Sequence, residues 1–394
     1  MSILLYTVSL KAYKFRIYPT KSQETLLESA FETCRYVYNR TLALRKDTYD
    51  HEREYVSLYE TARELTKWKL FKPELKRVHS QVLQNAQVRV DLAFNSFYRR
   101  AKEVKAGKLD PKKIGFPRFK GKERYDSITY PQYGSSAQII GNCIHLSKIG
   151  DVRLKQHRDI KGVPKTVTIS KRGNGKWYCS IACEVKKVVR KGKPRSPKVV
   201  GIDVGVRKLA TLSDGTIIEP PRYLMEYEAT LDKANRRLDK APKGTPLRAK
   251  MRKQLGRVYE LISNKRTDFT EKLSLKLVKD YTFIAFENLQ IDEMVEAADC
   301  YCEKHIMDAS WRKLMDRTKC KAEEAGTTVV FVDPRNTSQR CSQCGKIVKK
   351  SRSETVHKCN ICGLIMDRDL NAAKNILALG LQCRDCNKSQ MPTF

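Results

Sequence analysis

The sequence predicts a multi-domain α+β protein, and three observations support this. The chain has 394 residues, too many for one ordinary domain and enough for two or three that each bury a core. Strand and hairpin patterns precede a segment in which strands alternate with helices, an alternation typical of an α/β domain. Two closely spaced cysteine pairs near the C-terminus predict a small metal-bound module.

The N-terminal half is predicted to contain one strand, a long helical region and then several short strands. Residues 11–17 alternate in polarity as a strand does and end before Pro19. From 23 to about 105, apolar residues recur at helical spacing. Short strands broken by turns follow over 128–184, with a Gly-Asn-Gly hairpin signal at 173–175. A small β-barrel or sheet is the expected product.

The C-terminal half begins after a charged segment at 186–198, which contains two prolines and is predicted to be a linker. Apolar strands are predicted at 199–203, 282–286 and 328–332, and a hairpin at 209–219. Helical patterns separate them, at 223–240, 246–280 and 310–326. This half is therefore predicted to be the α/β domain.

The charge balance predicts a nucleic-acid partner. Lys and Arg number 78 against 44 Asp and Glu, a formal net charge of +34, and the compact chain repels itself unless a polyanion neutralises that charge. Residues 99–124 hold eleven Lys or Arg against three acids, with Phe116 and Phe119 among them and Tyr125 directly after, and are predicted to form a basic loop. A solvated basic face, common in other basic proteins, is the alternative.

The N-terminal apolar run, residues 3–8, lacks a basic flank and is too short for a signal peptide or a membrane span. We therefore expect a cytoplasmic protein with no membrane partner. The chain has 13 cysteines, and in a reducing compartment these favour metal binding over disulfides.

One structural zinc site is predicted near the C-terminus. Cys341 and Cys344 form one Cys-x-x-Cys pair and Cys359 and Cys362 another, with fourteen residues between the pairs. This spacing lets two turns present four thiolates to one tetrahedral Zn²⁺. Redox dithiols or unrelated buried cysteines are the alternative. Four thiolates leave no open coordination position, so this zinc is expected to be structural.

The remaining cysteines give weaker signals. Cys383 and Cys386 have the same spacing, and Cys300, Cys302 and His305 cluster in sequence. These groups could build a second zinc site, but two unrelated clusters are the simpler interpretation. The other cysteines lie in apolar patterns and are predicted to pack as small hydrophobic residues: Cys34, Cys143, Cys179, Cys183 and Cys320.

Three acids are candidate metal ligands. Asp203 ends the apolar strand at 199–203, and Glu287 ends the apolar run at 283–287. Asp369 immediately precedes an apolar helical pattern. Taken one at a time, such acids are more often helix caps or solvated loop residues, and an N-cap is the alternative for Asp369.

Taken together, the order of these acids resembles that of the RuvC-like nucleases. The match is closest to the TnpB family, transposon-encoded relatives of type V CRISPR effectors, and it covers most of the chain. The segments that carry the resemblance are Gly201–Gly205, Phe286–Leu289, Ser310–Trp311, Thr337–Gln339, Asp367–Ala373 and, in the N-terminal half, Gly115–Phe119.

The resemblance implies a wedge-type β-barrel with an inserted helical recognition domain, an RNase H-like (RuvC) nuclease domain and a zinc ribbon. The implied boundaries are 1–18 for the first part of the barrel, 19–105 for the recognition domain, 106–192 for the rest of the barrel with the basic loop, 198–335 for the first two nuclease parts, 336–364 for the ribbon, 365–381 for the last nuclease segment and 382–394 for a tail.

The resemblance also implies the chemistry. Asp203, Glu287 and Asp369 would hold two Mg²⁺ or Mn²⁺ ions, with Asp367 in support, and DNA would be cut by in-line displacement to leave a 5′ phosphate and a 3′ hydroxyl. The implied partners are a guide RNA from the transposon end and double-stranded target DNA carrying a short adjacent motif.

Two sets of residues are candidate nucleic-acid contacts. Basic-loop residues are expected to bind RNA through phosphate contacts and base stacking: Arg118, Phe119, Lys120 and Lys122. By resemblance, Gln84 and Asn85 could read the target-adjacent motif, because amides pair with adenine edges; a solvated helix face is the alternative. Residues 291–309 are more acidic than in the family and would form a lid.

Three other functions compete with a guided nuclease. A nuclease-inactive, RNA-guided repressor would be favoured by loss of any of the three acids, and all three are present. A stand-alone resolvase-like nuclease leaves the basic N-terminal half unexplained. A small type V CRISPR effector is the third, although the chain is short for one.

Overall fold

A computed structural model describes residues 6–188, 198–296, 300–351 and 354–389. They divide into two compact units, residues 6–187 and the described residues from 188 onward. The predicted multi-domain α+β fold class is confirmed. Most of the segment predicted to be a linker falls outside the described residues.

The N-terminal unit is built on a seven-stranded sheet in the order β2-β6-β7-β1-β5-β4-β3, curled into a nearly closed barrel. The Gly-Asn-Gly signal is confirmed as a hairpin, in which Lys171 pairs with Trp177 and Gly175 adopts a φ of 82°. The strands are β1 (Tyr6–Tyr18), β2 (Ser127–Tyr130), β3 (Ala137–Ile140), β4 (Cys143–Leu146), β5 (Gly150–Lys155), β6 (Val163–Lys171) and β7 (Trp177–Val188).

Three α-helices are inserted between β1 and β2: α1 (Lys21–Glu52), α2 (Leu58–Phe71) and α3 (Ser80–Lys105). A reciprocal capping box between Thr20 and Gln23 starts α1 directly after β1. The helices share one hydrophobic core with the barrel, and the ring centroids of Phe31 and Trp177 lie 5.4 Å apart. The predicted helical insertion into the barrel is therefore present.

The C-terminal unit contains a five-stranded sheet in the order β10-β9-β8-β11-β12. Strand β11 runs parallel to β8 and β12, whereas β9 and β10 are antiparallel additions at one side. This is the predicted RNase H-like sheet. Its strands are β8 (Val199–Val204), β9 (Ala210–Leu212), β10 (Ile217–Ile218), β11 (Phe283–Glu287) and β12 (Thr328–Val332).

Helices cover this sheet, and a two-stranded ribbon of β13 (Val356–Lys358) and β14 (Ile365–Asp367) precedes the last of them. The segment predicted to be a lid contains two short helices, α7 and α8. The helices are α4 (Tyr223–Glu226), α5 (Glu228–Lys240), α6 (Pro246–Asp280), α7 (Ile291–Glu296), α8 (Cys300–Ala309), α9 (Trp311–Ala325) and α10 (Arg368–Ser389). None of the described helices is long and apolar enough to cross a membrane.

Helix α10 lies directly on the backbone of the sheet. A Cβ atom placed on Gly201 of β8 would lie 2.2 Å from the Ala373 carbonyl oxygen and 2.5 Å from the Leu377 nitrogen. One placed on Gly380 would lie 2.6 Å from the Cβ of Ala285 on β11. Glycine at these positions allows the close approach, and the approach brings the first turn of α10 to the edge where β8 ends.

We expect Gly201→Ala to destabilise the C-terminal unit by about 3 kcal/mol, because the added methyl meets helix backbone that side-chain rotation cannot move aside. Thermal unfolding measured by calorimetry tests this. The matched control is Gly173→Ala, whose Cβ would meet no atom within 4 Å. Equal melting temperatures for the two variants would contradict the packing described.

Candidate metal centres and nucleic-acid surface

Asp203 and Glu287 lie at the same edge of the RNase H-like sheet. Strands β8 and β11 are parallel, and their last register pair joins Ile202 to Phe286. Each acid is the next residue along its own strand, so the chain presents both side chains at the carboxyl ends of adjacent strands. Glu287 is buried, with 7% of its surface exposed, and Asp203 is half-buried.

The electrostatics of these two acids disfavour their charged forms. Burial raises the pKa of Asp203 well above its usual value, and the nearby charges of Glu287 and Asp369 raise it further. Burial also raises the pKa of Glu287, opposed by a hydrogen bond from the Thr337 hydroxyl. An oxygen-only donor set with excess negative charge fits a hard divalent cation such as Mg²⁺ or Mn²⁺.

Asp367 and Asp369 play different parts at the start of α10. The Asp367 carboxylate accepts hydrogen bonds from the backbone N–H groups of Asp369, at 2.9 Å, and Leu370, at 3.1 Å. It is therefore the residue that caps the helix. Asp369 lies in the first turn, and its carboxylate is among the charges that act on Asp203.

Two basic residues face these carboxylates. Lys208 Nζ lies 2.7 Å from Asp367 Oδ2 and 3.6 Å from Asp369 Oδ2, and Arg368 donates to Asp369 Oδ1 from Nε and Nη2, both at 3.1 Å. Burial by itself raises the pKa of Asp367, but the hydrogen bond from Lys208 brings it below its usual value. No pattern in the sequence marks Lys208 as a neighbour of Asp367, because only the packing of α10 brings the two segments together.

The four ribbon cysteines form a compact cluster. Among the described residues, they are the only group of three or more metal-binding side chains whose ligand atoms all lie within 4.8 Å of one another. The carboxylates of Asp203, Glu287 and Asp369 do not form such a group. The Sγ atoms of Cys341 and Cys362 lie 3.5 Å apart and those of Cys344 and Cys359 lie 3.6 Å apart. Tetrahedral Zn²⁺ with bonds of about 2.3 Å requires roughly 3.8 Å between sulfurs, so the cluster fits zinc.

The two Cys-x-x-Cys turns, here called zinc knuckles, have the same local geometry. Gly345 N–H donates to the Cys341 carbonyl and Gly363 N–H to the Cys359 carbonyl, both at 2.9 Å. Both glycines adopt positive φ, 72° and 76°, which closes each turn tightly. Backbone N–H groups of Cys362 and residue 361 lower the pKa of Cys359 to about 6, which favours the thiolate that zinc binds.

The other cysteines differ in their exposure. The predicted burial is confirmed for Cys34, Cys179 and Cys183 and wrong for Cys320, which is exposed, and Cys143 is half-buried. Cys383 is also exposed. The structure describes the backbone but not the side chains of the residues that would complete a second zinc site: Cys300, Cys302, His305 and Cys386.

The basic loop is anchored to α1 by a reciprocal amide pair. Lys120 N–H donates to Asn39 Oδ1 at 2.8 Å, and Asn39 Nδ2 donates to the Lys120 carbonyl at 3.0 Å. The Lys120 side chain is half-buried, whereas Arg118, Phe119 and Lys122 are exposed. The backbone of the basic loop is therefore fixed at Lys120, while three of the four predicted contact residues face solvent.

A second anchor joins the loop to α3. The Phe116 ring packs against Phe97 with centroids 5.3 Å apart, and Arg100 donates to the Gly115 carbonyl at 2.9 Å. The loop thus spans α1 and α3 and presents the Phe119 ring, 53% exposed, beside basic side chains. Such a surface suits base stacking and phosphate contact.

Gln84 and Asn85 differ in their exposure and in their contacts. Gln84 is exposed on α3, whereas Asn85 is half-buried and its side-chain Oδ1 accepts a hydrogen bond from Arg89 Nε at 3.3 Å. Arg89 is itself held by the Ser127 carbonyl at 2.8 Å and the Thr129 hydroxyl at 3.0 Å. Of the two predicted amides, only Gln84 is fully open to a ligand.

The barrel, the RNase H-like sheet and the zinc ribbon together define a RuvC-fold protein, and three family models match the chain. One described as a probable transposase covers residues 180–298, and one described as a Cas12f1-like TNB domain covers 311–376. A third, described as a helix-turn-helix domain, covers 9–54, a segment that folds here as β1 and the single helix α1.

Among the relatives that match nearly the whole chain are two bacterial proteins. InsQ of Escherichia coli K12, named as a candidate RNA-guided DNA endonuclease, is 32% identical over 97% of this chain and 96% of its own length. A protein of Streptomyces pristinaespiralis with the same descriptive name is 31% identical over 97% and 92%. The chain belongs to the TnpB family that these proteins represent.

More distant relatives include CRISPR proteins. The endodeoxyribonuclease Cas12f1 of Sulfoacidibacillus thermotolerans is 27% identical over 51% of this chain and 50% of its own length. The solved structure of the mini RNA-guided endonuclease CRISPR-Casφ3 aligns with a TM-score of 0.51 at 9% identity, over 95% of this chain and 92% of that one. The latter likeness is one of fold alone.

Proposed function

We propose that this chain is a transposon-encoded, RNA-guided DNA endonuclease that cuts double-stranded DNA beside a short target-adjacent motif. The observation that carries the proposal is that Asp203 and Glu287 end adjacent parallel strands, and that the charges of Glu287 and Asp369 both act on Asp203, in a member of the TnpB family. Three different elements supply these acids, so their proximity is a property of the fold.

Asp203, Glu287 and Asp369 would hold two Mg²⁺ or Mn²⁺ ions, which when bound activate water and stabilise the leaving 3′ oxygen. Asp367 supports the site by capping α10 and by binding Lys208. The four ribbon cysteines hold one structural zinc, because their closed thiolate set offers no coordination position to a substrate.

The N-terminal residues 1–192 would recognise nucleic acid, and 198–381 would form the nuclease with its ribbon at 336–364. A net charge of +34 and the exposed basic loop suit a guide RNA derived from the transposon end and the target duplex that pairs with it. We place this activity in the cytoplasm of a bacterium or archaeon.

Purification of the protein followed by sequencing of the bound RNA tests whether the nuclease is RNA-guided. We expect a discrete RNA to copurify, and the complex to cut DNA that matches the RNA guide when Mg²⁺ is present. A preparation that carries no discrete RNA, binds none and cuts no matched DNA would contradict the proposal.

The basic loop provides a quantitative prediction. We expect Arg118→Gln with Lys122→Gln to weaken RNA binding and to reduce the slope of log affinity against log salt by roughly 0.7 for each lost phosphate contact. Fluorescence anisotropy over a salt series measures both quantities. Arg172→Gln removes one exposed charge at the β6–β7 hairpin and serves as control. An unchanged slope in the double variant would exclude the loop from the RNA-binding surface.

A further inference from the structure

The buried Glu287 carboxylate has a specific polar partner. The Thr337 hydroxyl donates to Glu287 Oε1, and the Pro334 carbonyl oxygen, 3.0 Å away, is an alternative acceptor for the same hydroxyl. Thr337 is itself buried, with 3% of its surface exposed. A hydroxyl at this position fixes one carboxylate oxygen and leaves the other for a second partner.

Thr337 is in turn held by helix α10. Asn375 Nδ2 donates to the Thr337 carbonyl at 2.8 Å and to the Arg340 carbonyl at 2.6 Å. One turn earlier, Asn371 Nδ2 donates to the Arg340 carbonyl at 2.7 Å, and Asn371 Oδ1 accepts from the Ser342 N–H at 2.9 Å. Both asparagines are buried, so these bonds are shielded from competing water.

This arrangement ties two carboxylates to one rigid element. Asp369 lies in the first turn of α10, and the two asparagines that follow it clamp residues 337–342. The clamped segment holds Glu287 at one end, through Thr337, and enters the first zinc knuckle at Cys341. A shift of α10 would therefore move Asp369 and the support of Glu287 together.

We propose that Thr337 is a positioning residue that orients Glu287 for metal binding, and that Asn371 and Asn375 couple it to the helix carrying Asp369. The inference rests on the proposed function, since it concerns the geometry of that metal site. Outer-shell partners of metal ligands affect affinity because they restrict the ligand to its binding orientation before the ion arrives.

Two substitutions isolate the hydroxyl. Thr337→Val keeps the shape and removes the donor, whereas Thr337→Ser keeps the donor and removes one methyl. With the full chain and its copurifying RNA, Mn²⁺ binding is measured by the electron paramagnetic resonance signal of the free ion. We expect about tenfold weaker binding for Thr337→Val and an affinity close to wild type for Thr337→Ser.

Zinc content and melting temperature separate positioning from folding. We expect both variants to retain one zinc per chain, because the asparagine bonds reach the backbone and not the Thr337 side chain. If Thr337→Val lowers the melting temperature, Thr337→Ala provides a second variant without the hydroxyl. Wild-type Mn²⁺ affinity in a variant without the hydroxyl, or equal losses for Val and Ser, would overturn the inference.

The variant Asp203→Ala distinguishes failure of the positioning role of Thr337 from failure of the proposed function. Wild-type protein that binds Mn²⁺ no more tightly than Asp203→Ala would overturn the metal site and, with it, the role of Thr337. Strong wild-type binding that depends on Asp203 but not on the Thr337 hydroxyl would leave the proposed function intact and overturn only the positioning role.

Discussion

Asp203→Ala is expected to abolish target cleavage while leaving RNA-guided DNA binding nearly intact. The charges of both Glu287 and Asp369 act on Asp203, so Asp203→Ala would remove one of the three proposed metal ligands. Metal ions supply several kcal/mol of charge stabilisation in the transition state, which corresponds to a rate loss on the order of 1000-fold or more.

Binding should survive because base pairing between guide and target supplies recognition without the nuclease metals. Each variant is reconstituted with its RNA, and binding by gel shift and cleavage in Mg²⁺ are measured on one target. Asp239→Asn, an exposed acid on α5, is the matched control. Substantial cutting by Asp203→Ala would exclude the proposed site, and wild-type binding without cutting would favour the repressor.

The same assay ranks the remaining acids. Glu287→Ala and Asp369→Ala are expected to match Asp203→Ala. Asp367→Ala should retain measurable cleavage, because the Asp367 carboxylate is engaged by the N–H groups that begin α10 and by Lys208. Helix capping contributes only about 1 kcal/mol. If Asp367→Ala were as inactive as Asp369→Ala, the result would contradict a supporting role for Asp367 and would place it beside Asp369 as a metal ligand.

The placement of Asp203 and Glu287 was predictable because it depends on local patterns. Each acid follows a short apolar run, and carboxyl ends of parallel strands meet at one edge of a sheet. The placement of Asp369 was not predictable from spacing, since it requires α10 to cross β8 at Gly201. The family resemblance implied Asp369 as the third proposed ligand, and the packing of α10 against Gly201 gives a physical reason for its position near β8.

Contacts between distant segments account for what the sequence analysis missed. Thr337 was recognised only as part of a motif, because its partners Glu287 and Asn375 lie far along the chain. Asn85 looked equivalent to Gln84 on the helix until Arg89 was seen to engage it. Polar pairs of this kind leave no periodic signal, unlike the apolar spacing that predicted the strands and helices.

The ribbon should depend on its zinc for folding. Its regular structure among the described residues is the short pair β13 and β14, which has too little apolar surface to be stable alone. Binding of Zn²⁺ to four-ligand peptide sites contributes roughly 10–16 kcal/mol at neutral pH, and this energy is also folding energy. The ribbon is therefore expected to unfold when the metal is lost.

Replacing Cys341 and Cys344 together with Ser is accordingly expected to reduce zinc from one per chain to none and to expose the end of the nuclease unit to protease. Loss of the first knuckle frees the Ser342 N–H and the Arg340 carbonyl from the asparagines of α10, so the damage should spread from the ribbon to the helix that carries Asp369.

Metal analysis and limited proteolysis measure the two effects. Cys320→Ser changes an exposed cysteine outside the cluster and should alter neither. Full zinc content in the double variant would rule out the four-cysteine assignment, because two remaining thiolates cannot complete a closed tetrahedral site.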